Sequence, residues 1–200
     1  MNETLKRALS GAVYVAVMWI GTSFSNLSFV ILFSIITIVS TYEMWKLHKG
    51  KNALLSYFYV WALMLALLLK QEIILFLFIL TWTFDTFAYL LGIQFGKNKI
   101  MPSISPKKSW EGFAGGFVFT ILAAYLSYSY FGFSSLREPL FISIILPFTA
   151  TLGDFIESAY KRKAGVKDSG VFIPGHGGML DRIDAFMITI PVIYILTYLL

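Results

Sequence analysis

The chain has no cysteine, which removes disulfides, thiolate zinc sites and thiol nucleophiles at once. It has only two histidines, His48 and His176. His48 reads as an interfacial loop residue, and a single His without Cys beside it offers too few ligands for zinc. Charge is scarce too: Asp, Glu, Lys and Arg make up 14% of the 200 residues, against about a quarter in soluble domains. The ~10-residue alternating segments of an outer-membrane barrel are absent, as are low-complexity tracts and convincing internal repeats. What fills the chain is hydrophobic sequence, 58% of it, in stretches about as long as a helix needs to cross a ~30 Å hydrocarbon core. The expected fold is all-α, a polytopic transmembrane helical bundle.

The apolar stretches predict about seven spans, near 8–25, 27–45, 53–70, 72–95, 113–132, 139–160 and 183–200. The N-terminal stretch lacks a clear small-x-small cleavage site and reads as a retained first helix. With the N-terminus in the cytoplasm and the spans alternating, only Lys70 and Arg137 of the 16 basic residues fall on the outer side. That satisfies the positive-inside rule and accounts for the net charge of +5 without nucleic acid. The long inner loops, 96–112 and 161–182, hold about half of the Gly and Pro. Any chemistry belongs on that face.

Carboxylates at membrane depth are costly and point to function. Glu43, near the inner end of the second span, reads as an interfacial acid paired with Lys46. Asp85 has no basic residue within a turn. It is expected to face a cytoplasmic cavity, hydrated or paired with Lys107 or Lys108. In the sixth span Asp154, Glu157, Ser158, Lys161 and Arg162 share one face. A self-contained stripe would pair Asp154 with Ser158 and Glu157 with Lys161.

After that stripe comes "KDSGVFIPGHGGMLDRID", residues 167–184. Its glycines around His176 allow a sharp turn that brings backbone N–H groups close to an anion. Asp181 and Asp184 flank Arg182 at the start of the last helix, where one acid could be a cap. A cap does not explain Lys167, Asp168, the His and the glycines as well. The set offers hard oxygen ligands for Mg²⁺ and cations for phosphate oxygens, the means of phosphoryl or nucleotidyl transfer. "GIQFGKN", 92–98, is not a P-loop: it has three residues between its glycines and Asn98 in place of Ser/Thr. Ser109 in "SISPKKSWEGFAGG" reads as the N-cap of the fifth span.

S-x-x-K-R-x₄-K-D-x₅-P-G-H-G-G-x-x-D-R-x-D, from Ser158 to Asp184, resembles the C-terminal signature of the phosphatidate cytidylyltransferases (CDP-diacylglycerol synthases). D-T-x-A-Y-x-x-G-x-x-x-G-K…S-P-K-K-S-x-E-G, from Asp85 to Gly112, is similar to that family as well. Tyr160 stands where the signature usually has an aliphatic residue, and the chain is shorter at its N-terminus than many members. The resemblance implies one membrane domain over 1–200, with N-terminal helices in 1–80 and the catalytic region in 81–200. It implies the reaction CTP + phosphatidate → CDP-diacylglycerol + pyrophosphate with a divalent metal, Mg²⁺ and two ions, held by Asp154 and Asp181. Ser158, Lys167, Asp168, His176, Arg182 and Asp184 would shape the site and contact phosphates. Asp85, Lys107, Lys108, Lys161 and Arg162 would face the substrates.

The expected partners are CTP and phosphatidate in the bilayer, with no nucleic acid and with a homodimer left open. The expected location is the cell membrane, with the N-terminus and the site cytoplasmic. A transferase for another lipid phosphate would share these features. An ion or solute transporter would instead spread Asp85, Asp154 and Glu157 through the membrane depth, often with an inverted repeat. A CDP-alcohol phosphotransferase would need D-G-x₂-A-R, which is absent.

Overall fold

The computed structural model describes residues 3–49, 53–173, 175 and 177–199. Seven α-helices follow one another: α1 Glu3–Ser23, α2 Asn26–Leu47, α3 Leu54–Trp61, α4 Gln71–Phe95, α5 Trp110–Ser127, α6 Arg137–Ala164 and α7 Leu180–Leu199. α2, α4, α5 and α6 are each long and apolar enough to cross a membrane. Their outward faces are as apolar as their inward ones: Leu27, Ile38, Val118, Leu126 and Leu152 are exposed. A soluble protein does not tolerate apolar surface on that scale. This is an all-α membrane bundle.

α4 is the central helix. Its residues Ile73 to Phe78 are all buried in succession, so no side of that stretch faces outward. Phe33 and Ile36 of α2, Leu146 of α6 and Ile183 and Ile190 of α7 complete the core. α4 and α5 lie close because small residues meet. A Cβ on Gly112 would collide with the Ala88 carbonyl, and one on Gly116 would sit 2.8 Å from the Phe84 carbonyl.

The third predicted span differs from a plain α-helix. After Trp61 the chain tightens into a 3₁₀-helix over Ala62–Leu68. Val60, Leu63, Ala66 and Leu69 are all buried, a spacing of three that only a helix with three residues per turn keeps in line. With its ~2.0 Å rise, Leu54–Leu68 reaches about 26 Å. The surrounding sequence is too uniformly apolar to show this period.

A second departure is a short antiparallel hairpin, β1 Lys99–Met101 with β2 Ser105–Ser109, between α4 and α5. Glu111 closes it by accepting hydrogen bonds from the Asn98 backbone (3.1 Å) and side-chain amide (2.7 Å). Ser109 caps α5 as expected, its hydroxyl accepting from Gly112 N–H at 3.2 Å. "GIQFGKN" is the end of α4 and its turn, not a phosphate-binding loop opening a helix.

Candidate active site

The chemistry gathers where α2, α4 and α6 end and α5 and α7 begin. Asp85 and Asp154 each lie ten residues before the last residue of their helix, a depth of about 15 Å. Asp184 is in the first turns of α7. Gly153 is why the two helices bring their acids together: a Cβ there would run into the Asp184 carbonyl. Thr149 and Thr189 share a 2.8 Å hydrogen bond one turn further along.

One oxygen from each of Asp154, Glu157 and Asp184 lies within 4.8 Å of the others. Lys108 forms an ion pair with Asp154, and Ser158 donates a 3.1 Å hydrogen bond to it. Glu157 is wholly buried. Lys161 stands against its Oε2, but among the described residues neither oxygen receives a well-formed hydrogen bond. Asp184 accepts from the Ala185 amide at 2.8 Å. Both pairings of the self-contained stripe therefore exist, and the stripe also forms part of a larger acidic cluster.

Of the two acids expected to hold metal, Asp154 is in this cluster and Asp181 is beside it. The oxygens of Asp181 are already engaged. Oδ1 accepts from Lys161 Nζ at 2.6 Å. Oδ2 accepts from the Ser169 amide (2.9 Å), the Ser169 hydroxyl (2.9 Å) and the Gly178 amide (2.7 Å). Glu157 and Asp184 take the places next to Asp154.

A cavity of about 580 Å³ opens beside the cluster, between α4, the hairpin and α5. Asp85 faces into it along with Lys99, Lys107 and Lys108, while Phe84 and Phe113 supply apolar wall. Lys108, Asp154 and Arg182 are close enough to act on the charge of Asp85. Asp184 in turn feels Asp154, Asp85 and Lys108. Cavity and cluster are thus one electrostatic unit.

Other expected residues stand outside it. Lys167 and Asp168 are exposed on the loop. Arg162 is exposed and donates to the Val166 carbonyl at 3.0 Å, tying off the end of α6. His176 lies outside the described residues.

Glu43 is a correction. It does not pair with Lys46, whose ammonium lies over the Tyr42 ring. It is buried and accepts hydrogen bonds from Met179 N–H (3.0 Å), Leu180 N–H (2.8 Å) and the Ser169 hydroxyl (3.0 Å). Its sequence neighbourhood carries no sign of partners more than a hundred positions away.

Residues 71–200 match the Cytidylyltransferase family, and that stretch contains the acidic cluster, the hairpin and the cavity. The chain belongs to this family. Similar proteins named phosphatidate cytidylyltransferase include one from Staphylococcus saprophyticus, 46% identical over 124 residues, or 62% of this chain and 48% of the relative. One from Thermotoga maritima is 45% identical over 126 residues, 58% of this chain and 45% of the relative. One from Staphylococcus aureus is 46% identical over 125 residues, with 62% and 48% covered. The chain spans about half the length of the curated relatives it matches.

Membership gives the cluster a chemical test. A divalent cation such as Mg²⁺ wants hard oxygen ligands, and three carboxylates with converging oxygens supply them. Lys161 stands against one oxygen of the fully buried Glu157, and a cation would also serve Oε1, which has no partner among the described residues. The three carboxylates fit such an ion.

Proposed function

We propose that this protein transfers CMP from CTP to phosphatidate, giving CDP-diacylglycerol and pyrophosphate. The observation that carries the reading is the acidic trio, Asp154, Glu157 and Asp184, set beside a lysine-lined cavity in a membrane bundle of this family. A phosphate oxygen of phosphatidate forms a bond to the α-phosphorus of CTP, and the bond from that phosphorus to the β-phosphate bridging oxygen breaks. Pyrophosphate carries away the electron pair. The attacking phosphate is already an anion, so no strong general base is needed.

The barrier is the repulsion between two polyanions. Lys99, Lys107 and Lys108 at the cavity, with Arg182 beyond it, oppose that repulsion and align the phosphates before reaction. Asp154, Glu157 and Asp184 are the side chains that would hold Mg²⁺, as one ion or two. When bound, it supplies positive charge to the reacting phosphates. In this reading Asp181 is not a ligand but holds Lys161 between two acids. The chain lies in the cell membrane with the site at the cytoplasmic face, and the apolar wall of the cavity leaves room for acyl chains. A transporter would spread its acids through the membrane depth; these converge on a single cluster.

The test is purified protein incubated with radiolabelled CTP, phosphatidate and Mg²⁺, followed by lipid extraction. Label is expected in the lipid phase only when all three are present. Label that requires a different lipid phosphate, or none at all, would overturn the substrate assignment.

A further inference from the structure

We infer that Glu43 of α2, which lies outside the family-matched residues 71–200, is a positioning residue for the acidic trio. The inference rests on the proposal that the trio holds a divalent cation. The first amides of a helix have no partner within it, and a side chain just before the helix normally caps them. α7 is capped differently. The Leu180 amide that opens it, and the Met179 amide before it, both donate to Glu43, more than 130 positions earlier and on another helix. A carboxylate suits the place, because its two oxygens accept separate donors and its charge complements the helix N-terminus.

Two glycines show that the loop is built around this carboxylate. A Cβ on Gly170 would collide with Glu43 Oε1, and one on Gly178 would strike the Ser169 hydroxyl that bonds Glu43 and sit 2.5 and 2.6 Å from the carboxylate oxygens. From Glu43 a polar chain runs to the site. Ser169 bridges Glu43 and Asp181, Asp181 binds Lys161, and Lys161 faces Glu157. Anchoring Leu180 also sets Asp184, one turn later, against Asp154 and Glu157. Glu43 is not one of the trio and does not line the cavity. It acts by holding the first turn of α7 in register with α6.

Purified full-length chain would be titrated with Mn²⁺ by electron paramagnetic resonance, alongside steady-state assays with CTP and phosphatidate. Glu43→Gln keeps the size but replaces one acceptor oxygen with an N–H₂ donor facing other donors. It should weaken Mn²⁺ binding roughly 10–100-fold, as outer-shell changes do, and lower kcat while KM for CTP stays within about two-fold, since the nucleotide cavity is untouched. Gly170→Ala, whose methyl meets Glu43 alone, should behave alike. The double variant E43A/G170A should bind Mn²⁺ no more weakly than E43A alone, because every close neighbour of the new methyl belongs to Glu43 and is then gone. Glu43→Asp, one methylene short, should fall between wild type and Gln, and serves if Ala is not recovered folded. Wild-type Mn²⁺ affinity in a helical, folded E43Q or E43D overturns the inference, as do additive losses in the double variant. Wild-type protein that binds Mn²⁺ through this network yet makes no labelled lipid overturns the substrate proposal alone and leaves the role of Glu43 supported.

Discussion

Lys161 stands between two buried acids, 2.6 Å from Asp181 Oδ1 and against Glu157 Oε2. Removing its charge with Lys161→Met strands both carboxylates, and breaking such a buried pair destabilises by about 3–5 kcal/mol. Thermal unfolding in detergent should show that loss, with Lys161→Arg recovering part of it. Asp154→Asn and Asp184→Asn are expected to act differently. Each removes an oxygen of the trio, so turnover should fall by several kcal/mol of transition-state stabilisation with the fold retained, read from labelled-lipid formation and circular dichroism. Asp181→Asn should resemble Lys161→Met more than Asp184→Asn, because its oxygens serve Lys161 and the loop amides. Asp85→Leu should lose activity more than stability, since that acid faces the cavity and not the core. A fully active, more stable Asp85→Leu protein would leave Asp85 without a role in the chemistry.

The pairing of α6 with α7 sets the distance between Asp154 and Asp184. It depends on Gly153, where any side chain meets the Asp184 backbone. Gly153→Ala should therefore push the helices apart. The expected cost is the ~1–3 kcal/mol of overpacking in stability, with a larger fractional loss in Mn²⁺ affinity and turnover. Equal, small losses in all three would show that the helices can absorb the methyl without separating the acids. The helix following Trp61 makes the complementary point. Val60, Leu63, Ala66 and Leu69 turn inward at a three-residue period inside a run where nearly every residue is apolar. Local composition there permits either helix, and packing selects the 3₁₀ form.

For the molecule as a whole, the placement of basic residues and the shared end of α2, α4 and α6 support the proposal that the site lies at the cytoplasmic face. The absence of cysteine makes this directly measurable. Ser103→Cys, exposed in the hairpin turn, and Ser134→Cys, exposed at the opposite end, each introduce one thiol. In intact cells a membrane-impermeant maleimide should label Ser134→Cys alone, with Ser103→Cys reacting only after permeabilisation. The reverse pattern would put the site outside and defeat a reaction that draws on cytoplasmic CTP.

Long apolar runs, the bias of Lys and Arg and the spacing from Ser158 to Asp184 are properties of the chain order. They determine a helical membrane bundle, its helix sequence and the region of its chemistry. The acids at 154 and 157 were visible as candidates because helical periodicity places residues of one helix on a common face, and Asp184 because it closes the motif that runs into the last helix. Which acids share a cluster depends instead on how two helices cross, and here a glycine at 153 and a threonine pair bring Asp184 to Asp154 while the Ser169–Gly178 loop engages Asp181. Glu43 shows the same limit most clearly. Its nearest cation in sequence, Lys46, turned to Tyr42, and the carboxylate went to the amides of a helix more than 130 residues on. A buried charge takes the donors that desolvation leaves within reach, and only the folded chain decides which those are.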